Sequence, residues 1–416
     1  MNTTSLHDLH DPAFIECPYP HYREAQRGPK AFAAPGMGVG ILGYENLVQI
    51  STDSEHYSRQ VPVQMARLGL GEDPISEEIL ELRREMHEEA PALFTADPPL
   101  HTRHRRLVNQ AFLPRRVRRL EPKLEELAHE LIDRFIEAGR AEFVEQFAVP
   151  FPLGMITDML GVPRSDMSTL KGWTDDMLAG VSDILSESRR LEVTRSALAF
   201  QRYFLALITE RRRDPQEDVL SDLVGAELDD GGRLSDGELL TIIAQIAVAG
   251  HETSTNFLGN GLVILLRNPD VLEAVREDRS ALPDFVEEVL RWDPPLQCTY
   301  RRSTIDQELD GVPIAEGQTV ALFWGAGGYD ETVFAQPQAF RLGRPNARKH
   351  LAFGHGTHFC VGHELARQEG RIAFGVLLDR LTDLSLDEAA SDLTHRASFA
   401  HHGYRSIVIR FGAGRA

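Results

Sequence analysis

Cysteine is nearly absent: the 416 residues include three, Cys17, Cys298 and Cys360. So odd and sparse a count excludes a disulfide framework. Basic side chains are scarce as well, 44 against 63 acidic ones, leaving a net charge of −19. That balance keeps a chain soluble and argues against nucleic acid as its main partner. No apolar run reaches the ~20 residues of a membrane anchor. Met1 to Tyr22 is polar, broken by Pro12, Pro18 and Pro20, and carries no signal-peptide run, so a cytoplasmic protein is expected. Linkers rich in Pro, Ser and Gly, low-complexity tracts and repeats are also missing, and residues 1–416 are expected to form one large domain.

What is present is mostly helical periodicity. Leu120 to Ala138 repeats apolar residues at spacings of three and four among Glu, Lys and Arg. Pro152 to Leu160, Ser196 to Arg212 and Asp284 to Arg291 read the same way. Short strands are expected at Gly38 to Leu42, Thr319 to Phe323 and Arg405 to Phe411. The fold class is therefore mainly α with small β-sheets. Its longest helix is expected over Asp236 to Arg267, with Ser235 and Glu238 as a capping box and Asn268-Pro269 as the stop. At ~1.5 Å per residue it runs roughly 48 Å. Ile242 to Gly250 is almost wholly apolar, and a polar cluster, His251 to Asn256, follows inside the same helix. Buried polar groups cost free energy unless satisfied or used. A structural reading is open here, in which Thr253 and Ser254 bond back to carbonyls one turn earlier and bend the helix.

The most informative stretch is Phe353-Gly354-His355-Gly356-Thr357-His358-Phe359-Cys360-Val361-Gly362. Its glycines allow a tight loop around the sulfur. Val361 to Asp379 reads as a helix, which sets Cys360 at a helix N-terminus, where amides and dipole favour a thiolate. Cys17 and Cys298 read instead as a near-terminal thiol and a small buried hydrophobe. Zinc is the rival for Cys360, given His350, His355, His358 and His363 nearby, but structural zinc sites usually combine two or more cysteines.

The loop resembles the haem-binding signature of the cytochrome P450 superfamily, Phe-Gly-x-Gly-x-His-x-Cys-x-Gly, at every fixed position, and Leu365-Ala366-Arg367 resembles the soluble bacterial class. Ala249-Gly250-His251-Glu252-Thr253 resembles the oxygen-binding segment of that family's long helix. Glu288-Val289-Leu290-Arg291 resembles its Glu-x-x-Arg pair, and Asp97 to Arg105 the start of a helix that grips the haem. One departure is Gly328-Tyr329-Asp330, where relatives often carry Asn-Arg-Asp.

The resemblance implies a P450 fold with the long helix over haem b, and Cys360 as the thiolate ligand of its iron. Thiolate ligation favours O–O cleavage. It further implies that Phe353 shields the sulfur, that Ala249, Gly250 and Gly362 line the cofactor, and that His101, Arg105, Arg301 and His358 meet the haem carboxylates. Arg301 is preferred over Arg302 by its register. Glu288 and Arg291 are expected to form a buried network with Arg344. Thr253 is expected to hydrogen-bond oxygen or its ordered water, and Glu252 to relay protons. Gln245, Val248, Ala249, Leu296, Gln297, Thr299 and Phe399 are expected near the substrate, with a variable lid over Val61 to Phe94. Mostly small or apolar, they suit a small hydrophobic ligand.

The implied activity is monooxygenation, most simply hydroxylation, using O2 and two electrons. Gly36-Met37-Gly38-Val39-Gly40 lacks dinucleotide-binding spacing. The electrons are therefore expected from a ferredoxin with an NAD(P)H-dependent reductase. Seven arginines and no acid between His101 and Arg119 suit an acidic partner. A peroxygenase or rearrangement enzyme, and a non-catalytic haem sensor, are the alternatives. Terpenoid, steroid, fatty-acid and polyketide substrates fit equally.

Overall fold

Residues 9, 11–34, 38–61, 75–88, 90–182, 185–227, 231–396 and 398–413 are described by a computed structural model of the chain. Four helices position the residues of interest: α1 (Leu100–Ala111), α2 (Asp236–Arg267), α3 (Leu282–Trp292) and α4 (His363–Arg380). The start of α2 is set by the capping box read from the sequence. The Ser235 amide donates to Glu238 Oε2 at 2.8 Å, and the Glu238 amide donates to Ser235 Oγ at 3.2 Å.

The chain divides into two compact units, neither contiguous in sequence, and α2 passes from one to the other between His251 and Glu252. The first unit comprises residues 1–58, 114–152 and 252–416. It holds a five-stranded sheet of β1 (Ala31–Ala34), β2 (Gly38–Ile41), β3 (Tyr57–Ser58), β4 (Cys298–Ser303) and β5 (Thr319–Phe323), in spatial order β1-β2-β5-β4-β3. Only the β2–β5 pairing is parallel. Val39, Ile41, Val320 and Leu322 form the sheet's contribution to a core completed by Leu47, Ile50, Trp324 and Leu351. The C-terminal half of α2 lies close to α4 because glycines stand at the contact. A Cβ on Gly261 would sit 2.5 Å from the Phe374 ring, and one on Gly370 2.5 Å from Phe257.

The second unit, residues 59–113 and 153–251, is helical throughout its regular structure among the described residues. Glu187–Arg213 is its spine, and Phe200 and Phe204 of that helix form an aromatic cluster with Trp173.

Several boundaries differ from expectation. The helix expected to reach Ala138 ends at Asp133, and a short 3₁₀ turn covers Ile136–Ala138 up to Gly139 at φ +61°. The helix after the cysteine begins at His363 rather than Val361, with Gly362 as its cap. The last strand is split into Tyr404–Ser406 and Val408–Ala413, which belong to different sheets. Among the described residues no helix is long and apolar enough to cross a membrane.

Candidate active site

The cysteine loop is built by backbone bonds that turn the chain back on itself. The Cys360 amide donates to the Phe353 carbonyl at 2.9 Å, and the Phe359 amide to that of Gly356 at 3.0 Å. Gly354 and Gly356 have φ of +67° and +69°. A Cβ at Gly356 would also lie 2.3 Å from the Ser51 carbonyl oxygen, so glycine is needed twice over at that position. Cys360 is half-buried, two residues before Gly362 and three before the first residue of α4.

Phe353 is fixed from outside the loop. The Arg367 guanidinium lies 4.6 Å over its ring, and the His350 ring lies 5.5 Å away. Both partners converge on Glu287, Arg367 as a cation and His350 as an imidazole whose pKa burial pushes down. Arg367 Nε donates to Glu287 Oε1 at 2.5 Å, and His350 Nε2 lies 3.1 Å from Oε2. Burial works to raise the Glu287 carboxyl, but these two partners outweigh it and hold it down to about 2. Glu287 was not singled out in the sequence, and His350 entered only as a possible zinc ligand, although two adjacent glutamates on an amphipathic helix such as α3 signal that at least one faces inward.

The neighbouring Glu288 does face inward, fully buried beside the equally buried Arg291. Arg291 Nε and Nη2 reach both its carboxylate oxygens at 2.8 Å, and Arg344 Nε joins at 3.0 Å. The remaining donors of Arg291 are used on the Gly328 and Pro337 carbonyls at 2.8 and 2.9 Å. Glu288, Arg291 and Arg344 thus form one network, as expected. The departure at Gly328-Tyr329-Asp330 is accommodated there. A Cβ on Gly328 would lie 2.3 Å from the Arg291 carbonyl, and Asp330 bonds Lys30 Nζ and the Tyr44 amide, each at 3.0 Å.

Beyond the unit boundary on α2, each polar side chain has work to do. Glu252, 5% exposed, takes bonds from Arg396 at 3.3 Å and Asn256 at 3.4 Å. Ser254 does not bend the helix by bonding backwards; its hydroxyl meets Glu369 Oε2 at 2.6 Å. Thr255 donates to the Ala148 carbonyl at 3.0 Å. Thr253, between them, is half-buried. Burial pushes the Glu369 carboxyl up to about 8, against the opposing pull of Ser254, so at neutral pH it is a protonated acid. Sequence reasoning missed Glu369. It stands four residues after Leu365 and three before Ile372, an acid on the apolar stripe of α4, and that pattern was the available signal.

On β4 the alternation buries Arg301 and leaves Arg302 half-exposed. Arg301 Nη1 donates to the Tyr300 carbonyl at 3.0 Å. His358 is half-buried on the 3₁₀ turn Gly356–His358. Leu296 bridges His401, and the Gln297 amide bonds the Ala400 carbonyl, which brings Leu296 beside the Phe399 to His401 turn. The Thr299 hydroxyl accepts the Trp324 indole at 2.9 Å. Gln297 follows Leu296 and is buried. It is 1% exposed, with its amide bonded to Tyr19, Tyr22 and the Pro294 carbonyl, so its polar atoms hold this part of the interior together.

In the second unit, His101 is buried on α1, and burial followed by the nearby Arg105 holds its imidazole down to about 4. It is a neutral hydrogen-bonding group in this setting. Arg105 Nε donates to Asn109 at 2.7 Å. On α2, Val248 is half-buried and Ala249 exposed, although Ile246 and Ala247 just before them are buried. Gly250 admits close packing: a Cβ there would lie 2.4 Å from Ile156 Cδ1. The Gln245 amide nitrogen donates to the Ala92 carbonyl at 3.0 Å and its oxygen accepts the Phe94 amide at 3.1 Å. It pins the 92–95 turn to α2. Of the expected lid, residues 62–74 and 89 lie outside the described residues, as do residues 36 and 37 of the glycine stretch.

The donor set suits a thiolate-ligated haem. A half-buried thiol lies in a glycine loop just ahead of a helix, and a buried guanidinium on β4 is the kind of group a haem carboxylate requires.

Comparison with known proteins agrees with this chemistry. A family model described as Cytochrome P450 matches residues 172–392. Cytochrome P450 107B1 of Saccharopolyspora erythraea is 38% identical over 324 residues, 78% of each chain. The 6-deoxyerythronolide B hydroxylase of the same organism is 38% identical over 316 residues, 76% of this chain and 77% of that one. Among solved structures, cytochrome P450 CYP109Q5 from Chondromyces apiculatus superposes with a TM-score of 0.85 at 31% identity, covering 98% of this chain and 99% of that one.

Proposed function

The chain belongs to the cytochrome P450 family and is a haem-thiolate monooxygenase; from that premise we propose that it hydroxylates a small, mostly hydrophobic organic molecule, with electrons from a ferredoxin system. When bound, the haem supplies the oxygen-activating chemistry. The chain's own residues provide binding, orientation and protons.

Cys360 is the iron ligand in this proposal, and the Phe353 ring, held by Arg367, keeps water from its sulfur. His101, Arg105, Arg301 and His358 are the residues proposed to take the haem carboxylates. Val248, Ala249, Leu296, Thr299 and Phe399 contact substrate. Thr253 Oγ1 donates the hydrogen bond that directs a proton to oxygen, and Glu252 replenishes it, with Arg396 linking Glu252 to the exposed edge. The observation that carries a complete monooxygenase over a peroxygenase or a sensor is this acid–alcohol pair, Glu252 next to Thr253, with the acid already held by two donors.

The ferredoxin assignment is supported by the short helix Pro114–Arg119. Arg115, Arg118 and Arg119 are exposed on it, and the helix packs against α4, which follows Cys360. The proposal includes a cytoplasmic setting, where NAD(P)H feeds the reductase. Its substrate is sought among hydrophobic macrocycles, steroids, terpenoids and fatty acids. The name of one relative records hydroxylation of 6-deoxyerythronolide B.

The test is a spectral-shift screen of the ferric protein with such compounds, followed by product analysis with ferredoxin, reductase and NAD(P)H. An oxygenated product formed only with the full electron chain is expected. Turnover supported by peroxide alone, or none with any spectral ligand, rejects the proposal. The reduced, carbon monoxide-bound protein should show the thiolate-specific spectrum, and Cys360→His should abolish it.

A further inference from the structure

A second constellation in the first unit shares none of the residues assigned to haem. A cavity of about 440 Å³ is lined by Glu16, Cys17, Tyr19, Asp293, His395 and His402, among others. Three of these converge from distant parts of the chain. Asp293 is the residue that ends α3, His395 closes the strand Asp392–His395, and His402 lies in the turn before Tyr404–Ser406. One donor atom from each lies within 4.8 Å of those of the other two.

All three side chains are at least nine-tenths buried: Asp293 and His402 are 3% exposed and His395 8%. The imidazoles stack with ring centroids 3.6 Å apart and planes 16° from parallel. His402 Nδ1 lies 2.7 Å from Asp293 Oδ1, and His395 Nδ1 lies 3.2 Å from Glu16 Oε1. Tyr19 donates to the same Asp293 oxygen. The Nε2 atoms of both histidines have no hydrogen-bond partner among the described residues. Two buried ring nitrogens so placed are costly, since a buried polar atom needs a partner.

We propose that Asp293, His395 and His402 bind a divalent transition-metal ion of the zinc type at this cavity. The donor chemistry is what selects the ion. Two imidazoles with a carboxylate suit zinc, nickel or copper(II) and disfavour calcium and magnesium, which take oxygen ligands. Glu16 stands against His395 as the orienting carboxylate that metal-bound imidazoles usually have. Cys17 lines the same cavity and offers a sulfur. A bound ion ties together the N-terminal helix Pro12–Glu16, the end of α3 and the C-terminal strand pair. It therefore stabilises the folded chain by mass action.

The experiment uses chelator-washed, haem-loaded protein and zinc chloride as the probe. Isothermal titration should find one zinc per chain, and His395→Asn and His402→Asn should each weaken it at least tenfold while leaving the reduced carbon monoxide spectrum unchanged. X-ray absorption at the zinc edge of the wild type, which needs no variant to fold, should show a shell with two imidazoles. No zinc uptake by the wild type, undiminished uptake in both folded variants, or a shell without two imidazoles overturns the proposal.

Discussion

Glu369 and Thr253 show how far one residue's surroundings decide its chemistry. In water a glutamic acid ionises near 4.5; buried on α4 against Ser254 it stays protonated up to about 8. The folded chain therefore keeps a proton that the unfolded chain releases. The stabilisation linked to it is fully present below about pH 4.5 and falls as pH rises, finishing near the folded value of about 8. Replacing Glu369 with Gln removes this dependence. Between pH 5 and pH 9 the wild type should lose on the order of 5 °C in Tm relative to the variant; parallel melting curves would show that Glu369 is ionised throughout. Thr253→Ala addresses the reaction itself. It should retain haem and the carbon monoxide spectrum while diverting electrons from product to hydrogen peroxide, measured as peroxide formed per NAD(P)H consumed. Unchanged coupling removes Thr253 from proton delivery.

Helix α3 carries two acids side by side that serve different purposes. Glu287 organises Arg367 and His350 around the Phe353 ring, whereas Glu288 joins Arg291 and Arg344 to the carbonyls of the 328–339 segment. An i,i+3 pair on an exposed helix is worth little. Here both partners are fully buried, and breaking the pair strands a charge. Arg291→Ala should cost about 3–5 kcal/mol, read by chemical denaturation, with loss of bound haem as the secondary sign. Arg291→Lys should recover only part of this, because an ammonium cannot make the two-pronged bond or reach both carbonyls. A lysine variant as stable as wild type would reduce the network to simple charge balance.

For the whole molecule, the acidic net charge contrasts with the arginine-rich 101–119 stretch, and only part of that stretch is exposed for docking. If an acidic ferredoxin is steered there, turnover driven by it should fall severalfold between about 0.05 and 0.3 M salt. Reduction of the haem by dithionite, which needs no docking, serves as the control, and equal salt sensitivity of the two would argue against charge steering. Arg115→Glu with Arg118→Glu should raise the KM for ferredoxin without altering the haem spectrum.

The sequence by itself determined the longest helix and its cap, because a capping box, an apolar run and Asn268-Pro269 are local signals that tertiary contacts had no cause to override. It also determined the cysteine loop, whose glycines are needed for its backbone turns, and through resemblance the family. Only the tertiary structure decided which partners the polar residues find. The amides of Gln297 and Gln245 bond Tyr19, Tyr22 and the backbone at Ala92 and Phe94, partners that no local pattern announces. Glu369, Glu287 and the Asp293, His395 and His402 cluster were not singled out in the sequence. Their protonation and their partners depend on burial and on chain segments more than a hundred residues apart in several cases, and such proximity leaves no periodic trace in a linear chain.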